Sequence, residues 1–407
     1  MVRKIGTFLI AVLFMFLLTA CSEGGRAENK KYNIEEISEE VIEGNNQFAF
    51  EIFKKLNNED TDKSIFISPI SISTALTMTY NGAESSTKEG MEKALGFEGL
   101  DRDIVNKSFS NLLNYLPQAS EKIELNLANS IWIREGEEIK KDFLEKNESN
   151  FRAKIETLDF SKDSAVAIIN KWIAKETKGK IEEMLDPPID PRVIMYLINA
   201  IYFQGEWSKE FDPRDTSDST FHTYDGGEQT VEMMSRQDKF LYTEKEDFKA
   251  LKLPYGKGEV AMYLLLPEQN IDINEFIQGL SGKTWEDIRK SVVETDDVFL
   301  NMPKFKLEYG IKNLNTCLEE LGMSEALSDR ADFSGIREDI FISRVLHKAV
   351  LEVDEKGSKA AGATVVEMRE VAAVEPITFI ADRPFVFIIS EETTKSILFM
   401  GKLLKVE

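Results

Sequence analysis

Apolar spacing changes character part-way along this chain, and that change limits the fold more than any single motif does. Phe48, Ile52 and Leu56 recur every fourth residue along 45–56, and a second helical pattern runs over 71–80 before the breaker Asn81-Gly82. Helical signals continue over 164–182, with Trp172 and Ile173 on the apolar side. The second half turns to strands. Segments 251–254 and 261–267 flank Tyr255-Gly256-Lys257-Gly258-Glu259 as a hairpin, and 298–307, 349–353, 385–389 and 397–403 are further strand candidates. Helices first and mixed strands later, without regular βαβ alternation, predict an α+β fold with antiparallel or mixed sheets. From about Glu39 onward no long linker, repeat or low-complexity tract interrupts the chain, so one domain is expected over 39–407.

Charge and composition exclude several functions. With 42% hydrophobic residues among 407, the chain has material for a large core. Its net charge of −22, from 50 basic and 72 acidic residues, repels polyanions, so no nucleic-acid partner is expected. There is no G-x-x-x-x-G-K-[ST] loop, H-E-x-x-H, G-x-S-x-G or paired C-x-x-C. Gly256-x-Gly258-x-x-Ala261 superficially fits a dinucleotide fingerprint, but a strand follows where a helix is required, so it reads as a turn. Only His222 and His347 could serve a Ser-His-Asp mechanism, and both lie in strand-like apolar settings that suit structural histidines. The numerous carboxylate pairs read as solvated faces. No catalytic residue, metal site or cofactor is expected.

The N-terminus carries an export signal. Arg3 and Lys4 precede an apolar run over 5–18 that is too short to span a bilayer comfortably, and Leu18-Thr19-Ala20-Cys21 follows. That tetrapeptide resembles the lipobox of prokaryotic lipoproteins, which implies a signal peptide over 1–20, lipid attachment at Cys21 and a polar tether within 21–38. A plain secretory signal is the alternative. The resemblance implies a protein held in the prokaryotic cell envelope by a lipid bilayer and facing outside the cytoplasm; inner and outer membrane both stay open. Cys317, the only other cysteine, has no intramolecular partner once Cys21 is lipidated and reads as a small buried residue in a helical pattern.

The stretch Glu355 to Arg369 has two faces when read as a strand. Ser358, Ala360, Gly362, Thr364, Val366 and Met368 make one face without charge, while Lys359, Ala361, Ala363, Val365, Glu367 and Arg369 make the other. Its first half is rich in Gly, Ser and Ala, poor material for a permanent strand. Such a segment suits exposure in one state and insertion in another.

Several segments, in order, resemble the serpin family from about Asn45 to Lys405. They are Phe66-Ile67-Ser68-Pro69-Ile70-Ser71-Ile72-Ser73-Thr74-Ala75-Leu76, Asn199-Ala200-Ile201-Tyr202-Phe203-Gln204-Gly205-Glu206-Trp207 with Phe211, Ala331-Asp332-Phe333-Ser334-Gly335, His347-Lys348-Ala349-Val350, Asp354-Glu355-Lys356-Gly357, Asp382-Arg383-Pro384-Phe385 and Leu398-Phe399-Met400-Gly401. The resemblance implies three β-sheets, eight or nine helices and an exposed reactive-centre loop over about 355–379. It further implies a suicide-substrate inhibitor of serine proteases, whose cleaved loop inserts into the central sheet while the protease is still acylated. A non-inhibitory serpin acting as a binding or scaffold protein at the cell surface is the alternative.

Carried over residue by residue, the hinge is Gly357, Ser358, Lys359, Ala360, Ala361, Gly362 and Ala363. Lys359 departs from the family's usual acidic residue, on the wet face where little harm is expected. The shutter is Ser68, Ser71, Asn199 and His347, and the breach is Trp207, Glu355 and Lys304. Counting seventeen residues with Glu355 as the first puts the reactive bond at Val371-Ala372, which suits an elastase-like or subtilisin-like target; a slip of one or two residues gives Glu370 or Arg369 instead. The expected partners are the target serine protease, covalently, and the bilayer. The molecule is expected to be a monomer able to polymerise by loop-sheet insertion.

Overall fold

Ser68 opens a helix because its side-chain oxygen accepts the N–H of Ser71, and Pro69 occupies the first turn, where a missing N–H costs nothing. The computed structural model describes residues 32–357 and 377–406. Cys21, Ser358, Lys359, Ala360, Ala361, Gly362, Ala363, Arg369, Glu370, Val371 and Ala372 therefore lie outside the described residues.

The first half runs α1 (Glu39–Glu59), β1 (Ile65–Ile67), α2 (Pro69–Tyr80), α3 (Ser85–Leu95), α4 (Arg102–Tyr115), β2 (Ile123–Arg134), α5 (Lys141–Phe151), β3 (Lys154–Leu158), α6 (Asp163–Glu176) and β4 (Met195–Gly205). The second half begins with β5 (Thr216–His222), β6 (Glu228–Glu244), β7 (Phe248–Tyr255) and β8 (Val260–Pro267), then α7 (Ile273–Gly279) and α8 (Gly282–Ser291). It continues through β9 (Val293–Pro303), β10 (Phe305–Glu308), β11 (Lys312–Asn313), α9 (Asn315–Leu318), β12 (Leu346–His347), β13 (Val350–Val353), β14 (Ile377–Ile380), β15 (Phe385–Glu391) and β16 (Ile397–Leu403).

The α+β expectation of three sheets and eight or nine helices matches the structure, which has nine α-helices among the described residues and one small extra ladder. The longest ladder runs β1-β16-β15-β8-β7-β6-β9-β14, with β5 on β6. Its strand β6 serves two sheets, since Leu241–Glu244 pairs with β7 while its first half pairs with β5. Strands β8, β15 and β16 are buried at every residue, β8 as a continuous apolar run and the other two with Ser390, Glu391 and Lys402 buried among apolar neighbours. The third sheet comes in two pieces, β3-β2-β4 and β10-β13, and β11-β12 is the small ladder. Helix α1 buries Phe48, Ile52 and Leu56, the three residues at spacing four.

Three boundaries differ from expectation. Packed chain begins before Glu39: Asn33 N–H donates to Asn111 Oδ1 at 2.6 Å, Ser38 N–H donates to Ser108 Oγ at 3.0 Å, and the Tyr32 ring lies 5.4 Å from that of Tyr115. The part of the expected tether from Tyr32 to Ser38 thus belongs to the domain. Helix α6 stops at Glu176 instead of reaching residue 182, because Lys178 and Gly179 take positive φ of 51° and 78° and turn the chain out of the helix. The single strand expected over 298–307 is two, β9 and β10, broken at Lys304 and assigned to different sheets.

Candidate functional site

Strands β4 and β13 run alongside each other without a ladder between them among the described residues. Each is paired on its far side, β4 to β2 through Asn199↔Asn129 and β13 to β10 through Val353↔Phe305. Between them lies a narrow cleft, open to solvent, lined by Ile181, Ile201, Tyr202, Phe203, Gln204 and Val350 among others. Unpaired strand edges facing a gap are a template for another strand.

At the upper end of the cleft the chain turns back on itself after β13. Asp354 and Gly357 exchange backbone hydrogen bonds at 2.9 and 3.2 Å, and Gly357 also bridges antiparallel to Glu206 just past β4. Gly357 therefore occupies the position where a strand between β4 and β13 would begin. Only glycine fits there: φ is +125°, and a Cβ would come within 2.2 Å of the Gly205 carbonyl oxygen and 2.7 Å of the Trp207 nitrogen.

The expected breach residues surround this turn. Trp207, 2% exposed, donates from Nε1 to the Asp354 carbonyl at 3.0 Å and from its backbone N–H to the Lys356 carbonyl at 2.9 Å. Its ring stacks on Tyr255 with centroids 4.2 Å apart. Lys304 Nζ lies 3.4 Å from Glu355 Oε1 and 3.2 Å from Glu232 Oε1. Thr216 Oγ1 donates to Glu355 Oε1 at 2.9 Å, and Phe211 N–H donates to the Glu355 carbonyl at 2.8 Å. Burial alone would raise the Glu355 carboxyl, but backbone and Thr216 hydrogen bonds together with the Lys304 charge outweigh it and hold the group below the usual glutamate range. Neighbouring Asp354 is pushed up, chiefly by burial.

The four expected shutter residues meet at the lower end. Ser68 N–H donates to His347 Nε2 at 3.0 Å, and Ser68 Oγ donates to the Leu398 carbonyl at 2.8 Å. Ser71 Oγ donates to Asn199 Oδ1, whose Nδ2 donates to Asn129 Oδ1 at 2.7 Å, and Asn129 Nδ2 in turn donates to the Phe151 carbonyl at 2.7 Å. Residues of α2, β2, β4 and β12 are thus tied below the cleft. Burial pushes the His347 imidazole down to about 4, so near neutrality it is uncharged and Nε2 is free to accept. Exposed His222 has Nδ1 3.7 Å from Glu228 and lies at the end of β5, in another sheet. Buried Cys317 donates its thiol to Glu59 Oε1 at 3.2 Å, and burial followed by that carboxylate pushes it up to about 12, which leaves it an unreactive core residue.

Asn129, Thr216 and Tyr255 were not singled out from the sequence. Asn129 left a trace, an amide inside the largely apolar run Leu127-Ala128-Asn129-Ser130-Ile131. Thr216 and Tyr255 left none, because their partners come from segments distant in the chain.

Residues 43–406 match the family described as Serpin (serine protease inhibitor). The chain is 36% identical to human Serpin B8 over 89% of its own length and 99% of that protein, and 33% identical to the bovine leukocyte elastase inhibitor over 90% and 99% respectively. Its structure is similar to that of the thermophilic serpin tengpin in the native state, with a TM-score of 0.81 and 36% identity across 91% of this chain and 95% of that one. A match over nearly the whole domain, joined to an open cleft whose first strand position is already held by glycine, identifies this chain as a member of the serpin family.

Proposed function

We propose that the protein is a suicide-substrate inhibitor of serine proteases, with an elastase-like or subtilisin-like enzyme as its target. The observation that carries this reading is Gly357, bridged to Glu206 on one side and to Asp354 on the other at the mouth of a cleft that no strand among the described residues fills. Residues after Gly357 become a central strand by continuing in the same direction as β4 and β13 part.

The protease serine attacks the Val371 carbonyl, the Val371-Ala372 bond breaks, and the amine of Ala372 leaves with a proton. Val371 is then esterified to the enzyme. Insertion from Ser358 onward carries the acylated protease away before water can release it. Ser358, Ala360 and Gly362 add little bulk to the inward face, and the Lys359 charge stays outside. About ten new ladder hydrogen bonds at roughly 1 kcal/mol each favour the inserted form by on the order of ten kcal/mol. The similarity to a leukocyte elastase inhibitor and the small apolar Val371 support the choice of target.

Mixing the protein with pancreatic elastase, subtilisin and trypsin tests the reading on denaturing gels and by mass spectrometry. A covalent band of protease plus inhibitor, with a released fragment beginning at Ala372, is expected. Cleavage by all three enzymes without a covalent band or a rise in thermal stability favours a binding or scaffold role. Export and anchoring at Cys21 belong to the same proposal and rest on Leu18-Thr19-Ala20-Cys21. Incorporation of labelled palmitate that is lost in Cys21→Ala is the expected result.

A further inference from the structure

Between the upper and lower ends of the cleft, a pair of lysines bridges its two sides. The turn that leaves α6 carries Lys178 and Lys180, held in shape by Thr177, whose Oγ1 donates to the Ile173 carbonyl at 2.8 Å and accepts the Ile181 N–H at 3.1 Å. Lys178 Nζ lies 2.5 Å from Glu124 on β2, and so belongs to the β2-β4 side. Lys180 Nζ lies 2.8 Å from Glu352 on β13, on the opposite side. Ile181, next in sequence, is 3% exposed and lines the cleft below them.

We infer that the Lys180–Glu352 ion pair is a rate-setting clasp on the insertion cleft, making Lys180 a positioning residue for strand uptake. This inference rests on the inhibitory reading above. A strand entering between β4 and β13 must move them apart by roughly one inter-strand spacing, about 4.8 Å. The rigid turn keeps both lysines with α6, so Lys178–Glu124 and Lys180–Glu352 cannot both survive that separation while α6 stays in position. Lys180–Glu352 is the one that parts, because Lys178 is doubly held: its ammonium also lies 5.6 Å from the centre of the Tyr202 ring on β4. Parting leaves Glu352 with another cation, since Lys306 stands directly opposite it in the β10-β13 ladder. The clasp therefore opens reversibly, and its strength falls with ionic strength.

The test is uptake of a synthetic peptide with the sequence of residues 358–369 by the uncleaved protein, followed by native gel shift and by the rise in thermal stability. Lys180→Gln and Glu352→Gln are each expected to speed uptake about two- to five-fold at low salt, the range a half-exposed ion pair supplies. The reversed pair Lys180→Glu with Glu352→Lys is expected to bring the rate back below those of the single variants, with Lys306 opposite position 352 keeping recovery partial, and about 0.5 M salt to erase the differences by screening. A merely structural role for either side chain gives no such recovery on reversal. Equal uptake rates in all variants, or a reversed pair as fast as the singles, overturns the clasp while leaving insertion intact. Absence of uptake by every form, the unaltered protein included, overturns the insertion reading and the clasp with it.

Discussion

Gly357 bridges antiparallel to Glu206 at the top of the cleft, so the first residue of the reactive segment is already part of the sheet that the rest is proposed to enter. Gly357→Ala forces a Cβ against the Gly205 carbonyl oxygen at a φ of +125°. It is expected to destabilise the uncleaved protein by about 1–3 kcal/mol. It should also slow the start of insertion, so that several molecules are cleaved for each protease trapped. Urea unfolding and the stoichiometry of inhibition measure the two effects.

Asn129 joins the Asn199 amide to the Phe151 carbonyl beneath the cleft. Asn129→Ala leaves both partners unsatisfied and is expected to cost about 1–3 kcal/mol. Because the loss falls where β2 and β4 meet α2, the variant should also polymerise on mild heating faster than the unaltered protein. Native gels after incubation at raised temperature provide the check.

Acid should loosen the lower end of the cleft through His347. Its imidazole falls from an ordinary value of 6.5 to about 4 on folding, so the unfolded chain binds the extra proton between those two pH values. The corresponding stability is complete above about pH 6.5, is lost progressively as pH falls towards 4, and amounts to on the order of 3 kcal/mol. Unfolding midpoints across this window, compared with His347→Gln, are expected to show a steeper decline for the histidine form. Equal slopes would assign the acid sensitivity to carboxylates instead.

The two faces of the reactive segment predict opposite outcomes for neighbouring charges. Under the proposed inhibitory function, Ala360→Arg puts a charge on the face proposed to turn inward and is expected to make the protein a substrate, with at least ten-fold less covalent complex. Lys359→Glu changes the charge on the outward face and is expected to leave complex formation within about two-fold. Gel densitometry of the covalent band after reaction with elastase distinguishes them.

Sequence by itself determined the fold class, because runs such as 261–267 and 397–403 are apolar at nearly every position and bury both faces wherever they are placed. It also marked Ser68, Ser71, Asn199, His347, Trp207, Glu355 and Lys304 through the serpin resemblance, and the two-faced pattern after Gly357 through alternation alone. Tertiary structure decided what those residues touch. Asn129 became the partner of Asn199 only through the β2-β4 register, and Lys180 met Glu352 only because the turn after α6 lies against β13. Strand β10 parts from β9 at Pro303-Lys304, where the buried positions shift from Val298, Leu300 and Met302 to Phe305 and Leu307, and pairing with β13 gives β10 its own sheet. Periodicity records which face of an element is buried, whereas an open cleft depends on which edges remain unpaired, and that is settled by contacts between residues far apart in the chain.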